Sequence, residues 1–153
     1  MTNQDFSDLS ALLLNCSLEA EAADSHTMRL LGRVAGIMRA EGVDVQIEHA
    51  RQHRIAFGMA PDMTEHGADV DDWPDVQAAI EAADILVIGS PIWLGAKSSV
   101  ATLAIERLYA NSARTNDNGQ YIYYGKTAGC VVTGNEDGVK AVARDVLYAL
   151  QHI

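Results

Sequence analysis

Three short segments hold most of the side chains that could bind a ligand. The first, residues 15–27 (NCSLEAEAADSHT), ends in Ser25, His26 and Thr27, at the predicted start of a helix. Hydroxyls and free backbone N–H groups at a helix N-terminus suit a phosphate monoester. The alternative is an ordinary Ser or Thr N-cap. The segment has neither GxGxxG nor GxxxxGK[ST], so the dinucleotide and P-loop fingerprints are absent from it.

The second segment, residues 90–99 (SPIWLGAKSS), combines a restricted backbone with exposed apolar side chains. Pro91 limits the backbone, whereas Gly95 allows a close approach or a positive φ. Between them stands an apolar triad, Ile92, Trp93 and Leu94. A flat aromatic ligand would explain such a triad on a turn. The alternative is that Trp93 packs onto a neighbouring helix or subunit.

The third segment, residues 133–138 (TGNEDG), places two glycines around Asn135, Glu136 and Asp137. By itself it indicates a plain turn that leads into a capped helix, because Asp is a good N-cap and acids suit the positive end of a helix.

Strand and helix patterns alternate along the chain, which predicts an α/β fold with a parallel sheet and helices on both faces. We expect one domain over residues 1–153. The predicted strands are 11–15, 43–48, 85–89 and 127–133, and the predicted helices are 25–41, 75–83, 98–111 and 137–152. Segment 43–48 alternates apolar and polar residues, as an edge strand does. The three ligand segments each follow a strand, so they should meet at one edge of the sheet, where α/β proteins bind ligands.

Composition excludes several classes of function. The formal net charge of −10 disfavours nucleic acids and anionic membrane surfaces as partners. No apolar run is long enough for a membrane helix, and the start MTNQDFSD does not resemble a signal peptide, so we expect a cytoplasmic protein. Cys16 and Cys130 lie far apart, without a Cys/His cluster, and we expect no metal site.

Two further polar groups have less specific interpretations. His49 and His53 are four residues apart, a spacing that could bind a metal on a helix, but a solvated loop is the preferred interpretation. The acids between residues 62 and 84 are most simply a solvated face, and the alternative is a docking surface for a basic redox partner.

The chain resembles flavodoxin-like flavoproteins of the NADPH-dependent FMN reductase type over residues 11–149. The resemblance lies in SPIWLGAKSS, in VVTGNEDG and in the SxT that opens the first helix. The resemblance implies a doubly wound parallel sheet of order 2-1-3-4, with the fifth strand of that fold missing from this chain, so that the domain is short at its C-terminal end. It also implies FMN as cofactor, with the phosphate on Ser17, Ser25, His26 and Thr27. The flavin ring would contact Pro91, Ile92, Trp93, Leu94, Gly95, Thr133, Gly134, Asn135, Glu136 and Asp137.

The function that follows is FMN-dependent oxidation of NAD(P)H with reduction of a quinone, a free flavin or a similar acceptor. Because the cofactor carries the chemistry, no catalytic side chain is expected. The partners would be small-molecule electron donors and acceptors, in a homodimer or homotetramer. The alternatives are a flavodoxin-like single-electron carrier and a flavin-free binding domain.

Overall fold

The computed structural model describes residues 5–153, so the first residues of the polar start, on which the cytoplasmic expectation rests, lie outside it. All predicted strands and helices are present. They are β1 (Ser10–Asn15), α1 (His26–Ala40), β2 (Asp44–His49), α2 (Trp73–Ala82), β3 (Ile85–Trp93), β4 (Ala96–Lys97), α3 (Ser99–Asn111), β5 (Thr127–Thr133) and α4 (Val139–His152). Short 3-10 turns lie at Ala22–Asp24, Ala50–Gln52 and Met63–His66.

Four strands form a parallel sheet in the order β2-β1-β3-β5. Because β5 is the fourth of the strands that the sequence predicts, this arrangement confirms the predicted order 2-1-3-4. Asn15, at the carboxyl end of β1, pairs with His49 of β2 on one side and with Gly89 of β3 on the other. Within residues 5–153, β5 pairs with β3 alone and is the second edge of the sheet. The carboxyl ends of β1, β3 and β5 therefore lie side by side.

Alternate residues of the strands face two separate cores. Leu13 and Val87 pack against α1 through Leu31 and Ala35. The other face packs against α2, α3 and α4, with residues that include Leu12, Leu14, Ile88, Trp73, Val76, Ile80, Ala104, Leu108, Val142 and Val146. The prediction of helices on both faces of the sheet is confirmed.

β3 is longer than the sequence predicts. It continues through Pro91 to Trp93, whereas the predicted strand ends at residue 89. Pairing with β1 ends at Gly89, whereas pairing with β5 continues to Pro91. Beyond Gly89 one side of β3 is free of a parallel neighbour, and a proline without an N–H donor is tolerated there. Trp93 thus ends a strand and does not stand in an irregular loop.

The stretch between β2 and α2 is held to α3 by a buried ion pair. The Asp71 carboxylate lies 2.6 Å from Arg107 Nη2, and both side chains are fully buried. The same carboxylate accepts the backbone N–H groups of Ala56, Met63 and Trp73 at 2.9–3.2 Å. We call these groups the anchor. The prediction that the acidic run is a solvated face is wrong at Asp71, because this carboxylate has a cationic partner from a distant helix.

Candidate functional site

A cavity of about 610 Å³ opens where β1, β3 and β5 end. We call the loops that surround it, residues 15–27, 90–98 and 133–138, the ligand edge. The three segments that the sequence singled out do meet there. The lining residues are Glu19, His26, Thr27, Pro91, Ile92, Trp93, Val132, Thr133, Gly134, Asn135 and Glu136.

Five of the residues expected to bind FMN do not line this cavity: Ser17, Ser25, Leu94, Gly95 and Asp137. Ser17 and Ser25 are buried beside the loop backbone, whereas Leu94 is 94% exposed. Asp137 accepts the N–H of the residue that follows it, Gly138, at 2.7 Å. A direct contact of these five with a ligand thus stays a prediction.

The hydroxyls of the first loop differ in how they are used. Ser25 is the N-cap of α1 and accepts the Met28 N–H at 3.0 Å, so the ordinary-cap interpretation holds for this residue. Thr27 Oγ1 lies 2.7 Å from Thr133 Oγ1, which joins the first loop to the third. Ser17 Oγ is buried without a hydrogen-bond partner among the described residues.

The second loop is a two-residue β-hairpin between the end of β3 and β4. Trp93 pairs with Ala96, and the turn between them has φ of 50° at Leu94 and 76° at Gly95. Two positive φ values match a type I′ turn, which usually takes Asn-Gly. An L-residue other than glycine is strained by about 1–2 kcal/mol in this region. Trp93 is 49% exposed, so no part of the described chain covers it fully.

Glycines let the second and third loops approach each other closely. A Cβ on Gly138 would lie 2.6 Å from Gly95 Cα, so only a glycine fits against the hairpin backbone. A Cβ on Gly134 would lie 2.9 Å from Ile92 Cβ. Ile92 and Gly134 together form part of the cavity wall, and their close packing requires that residue 134 has no side chain.

Ser98, just before α3, joins the first loop to the second. Its hydroxyl donates to the Cys16 carbonyl at 2.6 Å and accepts the Ala101 N–H at 3.0 Å. Its own N–H donates to Ser90 Oγ at 3.0 Å. This buried serine fixes the relative position of the two loops.

The cavity contains little positive charge of its own. Glu19 and Glu136 line it, and among the lining residues only His26 can become cationic. An anionic group would depend on backbone N–H groups at the start of α1 and on hydroxyls. Burial raises the pKa of the nearby Cys16 thiol to about 12, so this cysteine is no nucleophile at neutral pH.

Sequence reasoning missed two lining residues, Glu19 and Val132. Glu19 lies in a long loop without periodicity, and the apolar pattern at Val132 indicates a strand but not a ligand contact. It also missed His49, which is 2% exposed and hydrogen-bonded, so the interpretation as a solvated loop is wrong. The alternation of β2, continued by one residue, places His49 on the same face as Val45 and gives a signal for its burial.

The residues present fit the FMN that the resemblance implies. The unpartnered Ser17 hydroxyl is a buried polar atom, a state that costs about 1–3 kcal/mol unless a partner is supplied. At the other end, Trp93, Pro91 and Ile92 provide an apolar wall for a flat ring. A volume of 610 Å³ is also within the range of about 300–1,000 Å³ that is usual for ligand pockets.

Two known sequences and one crystal structure show what this chain is similar to. The divalent metal cation transporter MntH of Mycobacterium bovis is 51% identical over 148 residues, which are 97% of this chain and 22% of that protein. The 8-demethyl-8-aminoriboflavin-5'-phosphate synthase of Streptomyces davaonensis is 33% identical over 144 residues, covering 91% of this chain and 56% of that protein. A crystal structure of RosB with bound 8-demethyl-8-formylriboflavin-5'-phosphate has a TM-score of 0.82 and 32% identity, and covers 94% of this chain and 59% of that one.

The chain therefore spans 22% and 56% of the length of the two curated relatives it matches. No helix within residues 5–153 combines the length and the apolar character that a membrane crossing requires. Residues 9–153 match the family described as NADPH-dependent FMN reductase, which confirms the resemblance seen in the sequence. This chain belongs to the NADPH-dependent FMN reductase family.

Proposed function

We propose that this protein is an FMN-dependent oxidoreductase that oxidises NAD(P)H and reduces a quinone, a free flavin or a similar small acceptor. The observation that carries the proposal is that one continuous cavity joins the start of α1 to the apolar wall at Trp93. Family membership supports it, as does the riboflavin 5'-phosphate derivative bound to RosB.

The phosphate would lie at the first loop, near the start of α1. Ser17 would donate its unpartnered hydroxyl, and the backbone N–H groups of the first turn of α1 would donate as well. Ser25 accepts one hydrogen bond as a cap, yet its O–H can still donate. Thr27 and Thr133, already in contact, would hold the loops on both sides of the ligand at a set distance.

The ring would lie between the second and third loops. Trp93, Pro91 and Ile92 would exclude water from one side, and Gly134, which packs against Ile92, would continue that wall into the third loop. Bound FMN supplies the acceptance and donation of electrons, while the chain orients it and keeps one face accessible to the donor and the acceptor. The strained turn conformation at Leu94 places its exposed apolar side chain at the tip of this wall.

The first experiment is a titration of flavin-free protein with FMN, FAD and riboflavin, followed by desalting and a visible spectrum. We expect one FMN per chain to be retained in preference to FAD. Oxidation of NADPH and NADH is then measured with a quinone or free FMN as acceptor. If no flavin is retained and neither nucleotide is oxidised, the proposal is wrong.

One substitution tests the ring end of the site separately from the phosphate end. Trp93→Ala removes the apolar wall and should weaken FMN and riboflavin equally, because both contain the ring. Tyr124→Ala is the control, since Tyr124 is an exposed aromatic residue that does not line the cavity. A loss confined to FMN would contradict the position proposed for the ring.

The negative charge favours a second candidate, a single-electron carrier that exchanges electrons with a basic protein. The chain carries a net charge of −10, and such surfaces steer oppositely charged partners. A carrier would bind FMN yet would not oxidise NAD(P)H in the steady state, so the turnover assay distinguishes the two.

The proposed activity also favours a cytoplasmic location and a homodimer or homotetramer. A second copy of the chain would cover Trp93 and Leu94, which are exposed in the single chain. Sedimentation equilibrium of the FMN-loaded protein measures the oligomer, and a monomer would contradict this part of the proposal.

A further inference from the structure

His49, at the end of β2, is a buried histidine to which the proposed function assigns no role. It is 2% exposed, and both ring nitrogens have partners. Nε2 lies 2.9 Å from the backbone carbonyl oxygen of Glu19, and Nδ1 lies 3.0 Å from Nδ2 of Asn15. The ring therefore connects the end of β1 with the middle of the first loop.

The direction of each hydrogen bond follows from the partners. A carbonyl oxygen can only accept, so Nε2 carries a proton and donates to Glu19. Asn15 Oδ1 accepts the Ser17 N–H at 3.2 Å, which turns the Asn15 amide nitrogen toward His49. Nδ1 then accepts from that amide, while the Asn15 backbone carbonyl oxygen, 3.3 Å from Nδ1, is the longer of its two contacts. The neutral ring with its proton on Nε2 therefore satisfies the two shorter contacts of the ring.

These bonds hold the first loop at two points. Glu19 is held through its carbonyl by His49, and Ser17 is held through its N–H by Asn15. The buried, unpartnered hydroxyl belongs to Ser17, the first of these two points along the chain. A residue that orients a ligand-binding side chain, without touching the ligand itself, reduces the conformational entropy that is lost when the ligand binds.

We propose that His49 is a positioning residue for the flavin phosphate, and that it acts through Asn15 and Glu19 on the loop that contains Ser17. The inference rests on the proposed function, since it names what sets the preference of that site for a 5'-phosphorylated flavin. His49 stands outside the lining of the cavity, so a direct contact with the phosphate is not part of it.

The test compares dissociation constants for FMN and riboflavin, measured by quenching of flavin fluorescence. His49→Phe keeps a buried ring but removes both hydrogen bonds. We expect FMN to bind about tenfold more weakly, the factor that corresponds to about 1.4 kcal/mol. Riboflavin, which lacks the phosphate, should bind unchanged.

Two more variants sharpen the result. His49→Gln keeps an amide N–H that can reach the Glu19 carbonyl, so its FMN affinity should recover part of the loss. His53→Gln is the matched control, because His53 is half-buried, pairs with Glu48 at 3.0 Å and, within residues 5–153, makes no hydrogen bond to the first loop. If His49→Phe does not fold, His49→Asn replaces it, since its shorter side chain cannot reach Glu19.

The outcomes separate this inference from the function on which it rests. If the unmodified protein does not prefer FMN to riboflavin, the proposed function is contradicted. If it does prefer FMN and neither His49→Phe nor His49→Asn changes the ratio of the two constants, His49 has no positioning role. Equal weakening of FMN and riboflavin would likewise overturn the inference, because a general loss of structure affects both ligands.

Discussion

The anchor and the ligand edge both bury polar side chains, but they satisfy them differently. In the anchor, Asp71 accepts from three backbone N–H groups and from Arg107, which also donates to two carbonyl groups. At the ligand edge, Ser17 Oγ has no partner within residues 5–153, and the pair of Thr27 and Thr133 stands beside an open cavity. In the anchor, Arg107 Nε and Trp73 Nε1 also lack partners within residues 5–153, but neither residue lines the cavity, so the anchor serves the fold. An unpartnered hydroxyl in a loop that surrounds the cavity instead indicates a ligand.

The largest expected effect comes from the anchor. Asp71→Ala leaves the Arg107 guanidinium buried without its counter-charge, so the free energy of unfolding should fall by about 3–5 kcal/mol. Urea denaturation measures this loss. The FMN affinity of the folded fraction should stay the same, because Asp71 and Arg107 do not line the cavity.

The neighbouring Asp72 provides the control. It pairs with Arg54, whose side chain is 74% exposed, and it accepts the Arg54 backbone N–H at 2.7 Å, so Asp72→Ala should lower the free energy of unfolding, but much less than Asp71→Ala does. Equal destabilisation by the two variants would show that burial of the Asp71–Arg107 ion pair does not add to stability. The anchor would then not differ from the ligand edge in the way described above.

A change at the ligand edge should affect both stability and binding. Gly138→Ala forces a Cβ onto the Gly95 backbone at a residue with φ of 125°, and strain of this kind costs about 1–3 kcal/mol. Because the second and third loops would be pushed apart, FMN affinity should fall as well. The melting temperature and an FMN titration measure the two effects.

Gly36→Ala serves as the comparison, since its new Cβ would meet nothing within 4 Å in the middle of α1. Alanine in place of glycine stabilises a helix by about 0.5–1 kcal/mol. If Gly138→Ala were as harmless as Gly36→Ala, the close contact between the two loops would not matter for the site.

Thr27→Val tests the hydroxyl pair of the ligand edge while keeping the shape of the side chain. A hydrogen bond to a charged group contributes about 1.5–3 kcal/mol, so FMN should bind about tenfold or more weakly if Thr27 donates to the phosphate. Riboflavin should bind as before. Both constants come from fluorescence quenching.

Thr133→Val separates two explanations of that result. It removes the partner of Thr27 at 2.7 Å but leaves the Thr27 hydroxyl free to donate to the phosphate. We expect a smaller loss than for Thr27→Val. An equal loss would indicate that the contact between the two loops, and not a bond to the phosphate, carries the effect.

The smallest expected effect concerns charge. Glu19→Gln removes one of the two acids that line the cavity, and FMN should bind about threefold more tightly, as expected for an interaction of about 0.7 kcal/mol in contact with solvent. The gain should shrink at high salt. Unchanged affinity at low salt would show that the phosphate does not lie near Glu19.

The sequence predicts the framework of this molecule well because the framework depends on local patterns. Alternation and helical spacing identify the strands and helices, and the geometry of parallel sheets then brings the three loops to one edge. The extension of β3 through Pro91 is not visible in this way, because it depends on which side of the strand has a neighbour.

Contacts between distant residues explain what the sequence could not predict. Asp71 is buried because of Arg107, 36 positions away, and His49 because of Asn15, 34 positions away. The acidic segment around Asp71 has the composition of a solvated loop. The alternation of β2 does indicate that His49 is buried, but it does not identify Asn15 as its partner. Similarly, the hydroxyl of Ser25 caps a helix, while that of Ser17 has no partner within residues 5–153. The sequence does not reveal this difference, because both residues are serines in the same loop.

The central place of β3 has a consequence for the order in which the chain is synthesised. Its pairing with β1 begins at Ala11 and Ile85, 74 positions apart, and its other side is completed by β5, which is synthesised only after α3. A ribosome adds about 5–20 residues per second, so the emerging chain carries β3 with one unpaired side for several seconds, a state prone to aggregation. A chain released at Lys126 should therefore sediment as aggregates under conditions in which the 153-residue chain does not. If the shortened chain stayed dispersed, the unpaired side of β3 would need no protection during synthesis.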